Sequence, residues 1–169
     1  DGEDESYYRG WFDLERFKNH IKELFSKNDR EGFYSWSGLR YFLYEYELYL
    51  QDNANMKVSW EDFNKRKKED TIEHIYPQSP NDIYWKNRFG HLKPSEKRQY
   101  LNSLGNLLLL NRSKNSKLQN YDFDKKKCLL NKDGKEIGYY NGSYSEIEVS
   151  KHKEWTPDEI KKRGLLMLQ

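Results

Sequence analysis

The sequence predicts an α+β chain, mainly helical, with one short antiparallel hairpin running into a helix. Three observations carry that expectation. Apolar residues recur at helical spacing through the first 70 residues. The texture then changes at Thr71, where the β-branched stretch TIEHI begins, and again after Gly105, where Asn106 opens a run of four leucines. Helix-start signals return in the last third of the chain.

The elements follow in order. Trp11, Leu14, Phe17, Ile21, Leu24 and Phe25 mark an amphipathic helix over 11–26, broken by Asn28, Asp29 and Arg30. Leu39, Phe42, Leu43, Tyr46 and Leu50 mark a second helix, with Ser37 as its candidate cap. Residues 52–55 read as a loop, and Ser59 to Asp62 resembles a capping box that opens a third, highly charged helix. Thr71 to Ile75 reads as a strand entering a long loop punctuated by Pro77 and Pro80. Pro94 starts a short helix to about Leu101, and Asn106 to Leu110 reads as a buried strand. Ser113 is the candidate cap of a helix carrying Lys114, Asn115 and Lys117, and Asp122 starts another through Leu130. Asn131 to Gly134 is a turn and Gly138 to Gly142 is irregular. Thr156, Pro157 and Glu159 supply an N-cap, a proline at the first helical position and a carboxylate three residues after the cap.

Composition narrows the function classes. Hydrophobic residues make up 35% of the 169 residues and charged residues 34%, a polar balance that by itself favours disorder, but an aromatic share of 16% supplies a core. The single cysteine, Cys128, rules out an internal disulfide and a Cys-based zinc site, and an intracellular, cytoplasmic location is expected. No apolar run approaches the roughly 18 residues of a membrane span. The net charge of +2 is unevenly spread: residues 86–132 hold 12 basic against 3 acidic residues, a net of +9. That segment is either a solvated lysine-rich surface or a surface for a polyanion such as DNA.

Polar residues fall at informative places on the strand–loop–strand–helix frame. Glu73 and His74 end the first strand, Asn106 opens the second, and Asn115 lies early in the helix that follows. One-metal phosphodiester hydrolysis needs this set. Imidazole takes a proton from attacking water near neutral pH. A divalent cation stabilises charge on the phosphate and the leaving oxygen. Two oxygen ligands, the Glu73 carboxylate and the Asn115 amide, suit Mg²⁺ or Mn²⁺ and leave room for water and phosphate. A regular strand, however, sends adjacent residues to opposite faces, so Glu73 and His74 converge only if the strand bends there.

The stretches TIEHIYPQ from Thr71 to Gln78, LGNLLLLN from Leu104 to Asn111 and SKNSKLQN from Ser113 to Asn120 resemble the ββα-metal, or His-Me finger, HNH nucleases. More narrowly, they are similar to the C-terminal domain of GmrSD-type, modification-dependent restriction enzymes. Tyr41 to Glu47 upstream and Trp155 to Arg163 downstream share that likeness, which covers roughly residues 35–169. The resemblance implies that His74 is the general base, that Glu73 and Asn115 hold the metal, and that Asn106 orients His74 and ties the loop to the second strand. Asn115 stands where related nucleases often have histidine, which bears on metal preference. The resemblance also implies an N-terminal nucleotide-hydrolysing domain, so the chain reads as a C-terminal fragment of a longer protein. Its expected organisation is a helical N-terminal extension over 1–70, an HNH nuclease core over 71–132 and a C-terminal helical segment over 133–169.

Each residue also has an ordinary structural use: a Glu-His pair in a strand, an asparagine after glycine as a turn, an asparagine early in a helix as a cap. Order and spacing together, inside the basic segment, favour the site. Arg112, Lys114 and Lys117 beside it are expected to contact phosphates, and Lys125 to Lys127 form either an extension of that track or a solvated helix face. Cys128 reads as helix core, and His20, His91 and His152 as surface residues, with His91 the rival metal ligand. The competing functions are a DNA-binding or regulatory module that kept the fold without catalysis, and a nuclease acting on RNA.

Overall fold

A computed structural model describes residues 32–51 and 60–168, together with helical positions 15, 16, 19 and 23. The helix expected over 11–26 otherwise lies outside the described residues, as do the loop at 52–55 and the cap at Ser59. The described chain is mainly helical with a two-stranded antiparallel sheet, an α+β arrangement. A short 3-10 turn (Gly32–Ser35) leads to α1 (Leu39–Leu50) and α2 (Trp60–Glu69). Strand β1 (Asp70–His74) follows, then α3 (Ile83–Phe89), α4 (Pro94–Leu101), a 3-10 turn (Leu104–Asn106) and β2 (Leu107–Asn111). Helix α5 (Arg112–Leu118) continues directly from β2, and α6 (Phe123–Cys128), a 3-10 turn (Tyr139–Asn141), α7 (Tyr144–Ser150) and α8 (Pro157–Leu166) complete the chain. No helix among the described residues is long and apolar enough to cross a membrane.

The four leucines of β2 are buried for two different reasons. Alternate residues of a strand point to opposite faces. Leu108 and Leu110 join a core with Ile75, Tyr76, Trp85, Phe89, Phe123, Tyr139, Trp155 and Ile160. Leu107 and Leu109 join a second core with Phe33, Leu39, Leu43, Tyr44 and Met167. Covering both faces requires elements from before and after the hairpin, so β2 is the wall between two layers. Its partner β1 pairs Thr71 with Leu110, Glu73 with Leu108 and His74 with Leu107.

Two polar clamps hold the surrounding helices, one between helices and one to the hairpin. The buried Glu47 carboxylate on α1 accepts from the backbone N–H groups of Tyr144 (2.8 Å) and Ser145 (2.9 Å), placing an anion at the N-terminus of α7. The buried Arg163 on α8 donates to the carbonyls of Gly105 (2.9 Å) and Leu107 (3.0 Å), and to Glu148 (2.8 Å). Gly105 has no side chain because α8 leaves no space: a Cβ there would lie 2.0 Å from the Ile160 carbonyl oxygen.

Most expected elements are present, with differences of local cause. The long loop after β1 contains α3, which Asp82 caps by accepting from Tyr84 N (2.7 Å) and which buries Trp85 and Phe89 one turn apart. The irregular stretch after Gly138 gives way to α7, opened by a capping box between Ser143 and Glu146. Helix α5 is capped by Asn111, which accepts from Ser113 N, rather than by Ser113. Helix α6 stops at Cys128, two residues short of Leu130. Cys128, expected in the core, is exposed, and Lys126 and Lys127 are buried in its place.

Gly105→Ala should lower stability by about 3 kcal/mol, the upper end for inserting atoms into a packed interior, because its neighbours are backbone atoms that cannot rotate away. Denaturant midpoints of the two proteins measure it, and a change below about 0.5 kcal/mol would show that α8 is free to move.

Candidate functional site

Glu73, His74 and Asn115 line one cavity of about 200 Å³, with Tyr34, Ile72, Pro77 and Gln78 around them and Gln119 and Asn120 beyond the end of α5. Glu73 and His74 are adjacent in sequence and both stay paired in β1, opposite Leu108 and Leu107, so the chain turns only after His74. In an extended strand successive carbonyls point to opposite sides, yet one ammonium, Lys126 Nζ, donates to both His74 O (3.0 Å) and Ile75 O (3.1 Å). The amide of Asn106 secures the chain just beyond. It accepts from Tyr76 N (2.7 Å) and donates to Tyr76 O (3.0 Å) and Leu101 O (2.9 Å), while Trp155 Nε1 donates to its oxygen (3.1 Å).

Glu73 is almost wholly buried, and its Oε1 takes two bonds, from Lys126 Nζ (2.6 Å) and from the Tyr139 hydroxyl (2.9 Å). With its two carbonyl contacts, the fully buried ammonium of Lys126 uses all three of its protons. Burial, with the neighbouring Glu73 carboxylate, pushes the Tyr139 hydroxyl well above its ordinary value of 10, so it stays a donor. Tyr139 reaches Glu73 because Gly138 lies against the Lys127 backbone, where a Cβ would come within 2.2 Å of a carbonyl oxygen.

His74 is also buried, and its Nε2 lies 3.3 Å from Asn102 Oδ1. An amide oxygen only accepts, so in this orientation Nε2 carries the proton and Nδ1 keeps its lone pair. Burial lowers the pKa of His74 from 6.5 to about 4; the Asn102 bond opposes the shift and the Lys126 charge adds to it. The ring is therefore neutral at pH 7. Tyr34 packs over it with ring centroids 4.7 Å apart. Tyr34 is carried there by the turn at Gly32–Ser35, where Phe33 N donates to Asn102 O (3.0 Å).

Asn115 sits on α5 with its amide nitrogen turned to β1, donating to Thr71 Oγ1 (2.9 Å) and more distantly to Ile72 O (3.4 Å). The amide oxygen is thus the end left for the cavity. Of the expected phosphate contacts, Arg112 and Lys117 are exposed. Lys114 is not free: its ammonium pairs with Glu146 and donates to Asn141 O (3.2 Å). Lys125 is exposed over the Tyr121 ring, whereas Lys127 pairs with Asp124 (2.9 Å) and Lys126 with Glu73. His91 is exposed and does not line this cavity, and His152 lies beside Glu148.

Asn106 makes the expected tie between the loop and the second strand, whereas the side-chain hydrogen bond of His74 goes to Asn102. Tyr34, Asn102 and Tyr139 are site residues that sequence reasoning missed, and Lys126, expected on a phosphate track or a solvated helix face, is instead buried against Glu73. None belongs to a short motif, and each arrives from an element remote in sequence.

An antiparallel strand pair running straight into a helix, with a carboxylate, an imidazole and an amide lining one cavity, defines an α+β protein with a polar cavity. The chain belongs to the family described as GmrSD restriction endonucleases, C-terminal domain, whose model matches residues 15–169. That membership gives it a nuclease function of the restriction type. No curated protein and no solved structure matches it.

A neutral buried imidazole has a measurable consequence in metal-free protein. Between pH 6.5 and about 4 the unfolded chain binds the His74 proton more readily than the folded one. The contribution of the neutral ring is complete above pH 6.5 and is lost as pH falls through about 4. In chelator, the protein should lose about 2 kcal/mol more stability between pH 7 and pH 5 than its His74→Gln variant, from roughly 1.4 kcal/mol per pKa unit. Denaturant titrations at the two pH values test this, and equal losses would place the proton elsewhere.

Proposed function

We propose that the chain is an HNH-type, metal-dependent endonuclease unit that hydrolyses phosphodiester bonds in DNA. The observation that carries this reading is that Glu73, His74 and Asn115 all line one cavity at the end of the hairpin and the start of α5.

The residues present fit a hard divalent cation. Among the described residues no three His, Cys, Asp or Glu side chains cluster, so the protein ligands proposed here are few. Glu73 and Asn115 supply one carboxylate and one amide oxygen, and the Asn115 nitrogen, bonded to β1, leaves that oxygen as the end available to an ion. Oxygen donors in small number, with room for water and phosphate, suit Mg²⁺ or Mn²⁺. When bound, the ion supplies Lewis-acid stabilisation of the charge that builds on the phosphate and the leaving oxygen.

The chain's own residues do the rest. His74, neutral and held through Nε2, has a lone pair on Nδ1 to take a proton from attacking water. Asn106 keeps the turn after β1 closed, and with it the position of His74. Arg112 and Lys117 flank the site on α5 and contact phosphates. Restriction of modified foreign DNA, together with a nucleotide-hydrolysing domain of the same protein, is the setting we infer from the family. Nicking of supercoiled DNA in Mg²⁺ separates this reading from a DNA-binding or regulatory module without catalysis, and a parallel RNA digest separates it from a ribonuclease.

His74→Ala should reduce cleavage by about 10²–10⁴-fold, the usual contribution of a positioned acid–base group, while leaving folding and DNA affinity nearly unchanged. A variant that nicks plasmid at near the original rate would remove His74 from the mechanism.

DNA affinity should fall steeply with salt, because cations that neutralise phosphates release counterions. Replacing Arg112 and Lys117 by Ala should flatten the slope of log affinity against log salt by about 2, close to one unit for each phosphate no longer neutralised. Fluorescence anisotropy over a salt series measures the slope, and an unchanged value would put the phosphate path elsewhere.

A further inference from the structure

The carboxylate proposed to hold the ion already has a cation bonded to it. Lys126 Nζ lies 2.6 Å from Glu73 Oε1, with both side chains buried and the ammonium completely so. Two backbone carbonyls fix the ammonium in place, so it cannot swing away to make room for a second cation. Asn115 brings no charge. The protein ligands and their buried neighbour therefore sum to zero rather than to the negative charge that a divalent ion prefers.

We propose that Lys126 makes this a substrate-loaded metal site, one that binds a divalent ion weakly until a DNA phosphate supplies the missing negative charge. This role rests on the nuclease reading above and adds to it the order in which the site fills. A fixed positive charge on one carboxylate oxygen repels an ion approaching the other, and the interior screens that repulsion poorly. A phosphate oxygen entering the cavity restores attraction. The coupling is reciprocal: if DNA tightens the ion, the ion tightens DNA by the same factor. Lys126 is thus a positioning residue with an electrostatic role. It holds Glu73 and turns the end of β1, and it also keeps the site from filling with metal in the absence of substrate.

The sign of one measurement separates this role from a merely structural one. Mn²⁺ affinity is measured by electron paramagnetic resonance on the whole chain in a His74→Ala background, so that DNA stays intact, with and without a short duplex. With Lys126 present, the duplex should tighten Mn²⁺ at least ten-fold. In Lys126→Met, affinity for Mn²⁺ alone should rise at least ten-fold and the effect of the duplex should shrink. A lysine that only holds the fold together predicts the opposite, a loss of affinity when it is removed. Unchanged or weaker Mn²⁺ binding in a folded Lys126→Met protein overturns the proposal. Should that variant not fold, the protein with Lys126 intact still decides: equal Mn²⁺ affinity with and without duplex overturns it. Glu73→Ala serves as the control for the underlying reading. If Glu73→Ala binds Mn²⁺ with unaltered affinity in the presence of duplex, the metal assignment itself fails. If Glu73→Ala loses the ion but Lys126→Met fails to gain it, only the role of Lys126 is wrong.

Discussion

The side-chain amide of Asn106 is bonded on both of its ends to three separate parts of the chain. It pairs with both backbone groups of Tyr76, takes the N–H of Trp155 and donates to the carbonyl of Leu101. A primary amide has two donors and two acceptor lone pairs, and here all four are used. Fully buried, it cannot lose one of these without leaving a polar group unsatisfied, at a cost of about 1–3 kcal/mol. The turn after β1, the end of α4 and the approach to α8 are therefore held in one relation, and Pro77 and Gln78, which line the cavity, follow directly on the Tyr76 that the amide holds.

Helix α6 inverts the usual assignment of inside and outside. Its lysines at 126 and 127 are buried while its cysteine faces solvent. Hydrophobicity alone favours the reverse. What decides the orientation is a set of oxygens that only a long cation can satisfy: the Glu73 carboxylate and the carbonyls of His74 and Ile75 for Lys126, and the His152 carbonyl (3.3 Å) for Lys127. A buried carboxylate left unpaired would be far costlier than an exposed thiol. Part of the positive charge that makes residues 86–132 look like a polyanion surface is thus neutralised by carboxylates from outside that segment, at Lys114 by Glu146 and at Lys126 by Glu73.

What was legible in the sequence follows the range of the interaction responsible. Helix α8 is announced by Thr156 and Pro157 because capping is local, and α1 by its apolar spacing. The hairpin is visible in the β-branched stretch at Thr71 and the leucines of β2. Glu73 and His74 stand out at the end of β1, Asn106 just before β2 and Asn115 in the helix that follows it. Helix α3 escapes notice because it is only seven residues long and rests on burial of Trp85 and Phe89 rather than on propensity. Asn102, Lys126, Tyr139 and Tyr34 escape for a different reason. Their partners lie far along the chain, and nothing in a one-dimensional pattern marks a lysine as the one that will meet a buried glutamate.

The separations in those contacts carry a consequence for synthesis. Tyr139 reaches Glu73 across 66 residues, Trp155 reaches Asn106 across 49, and Arg163 reaches Gly105 across 58. A ribosome delivers the chain from its N-terminus, so every residue that lines the cavity emerges before these supports exist. Loop closure over such distances is slow relative to local helix formation. A nascent chain halted before Tyr139 thus carries His74, Glu73 and Asn115 without the hydroxyl, indole and guanidinium that fix them. Such a prematurely terminated product has the polar side chains of the cavity but not the frame that holds them.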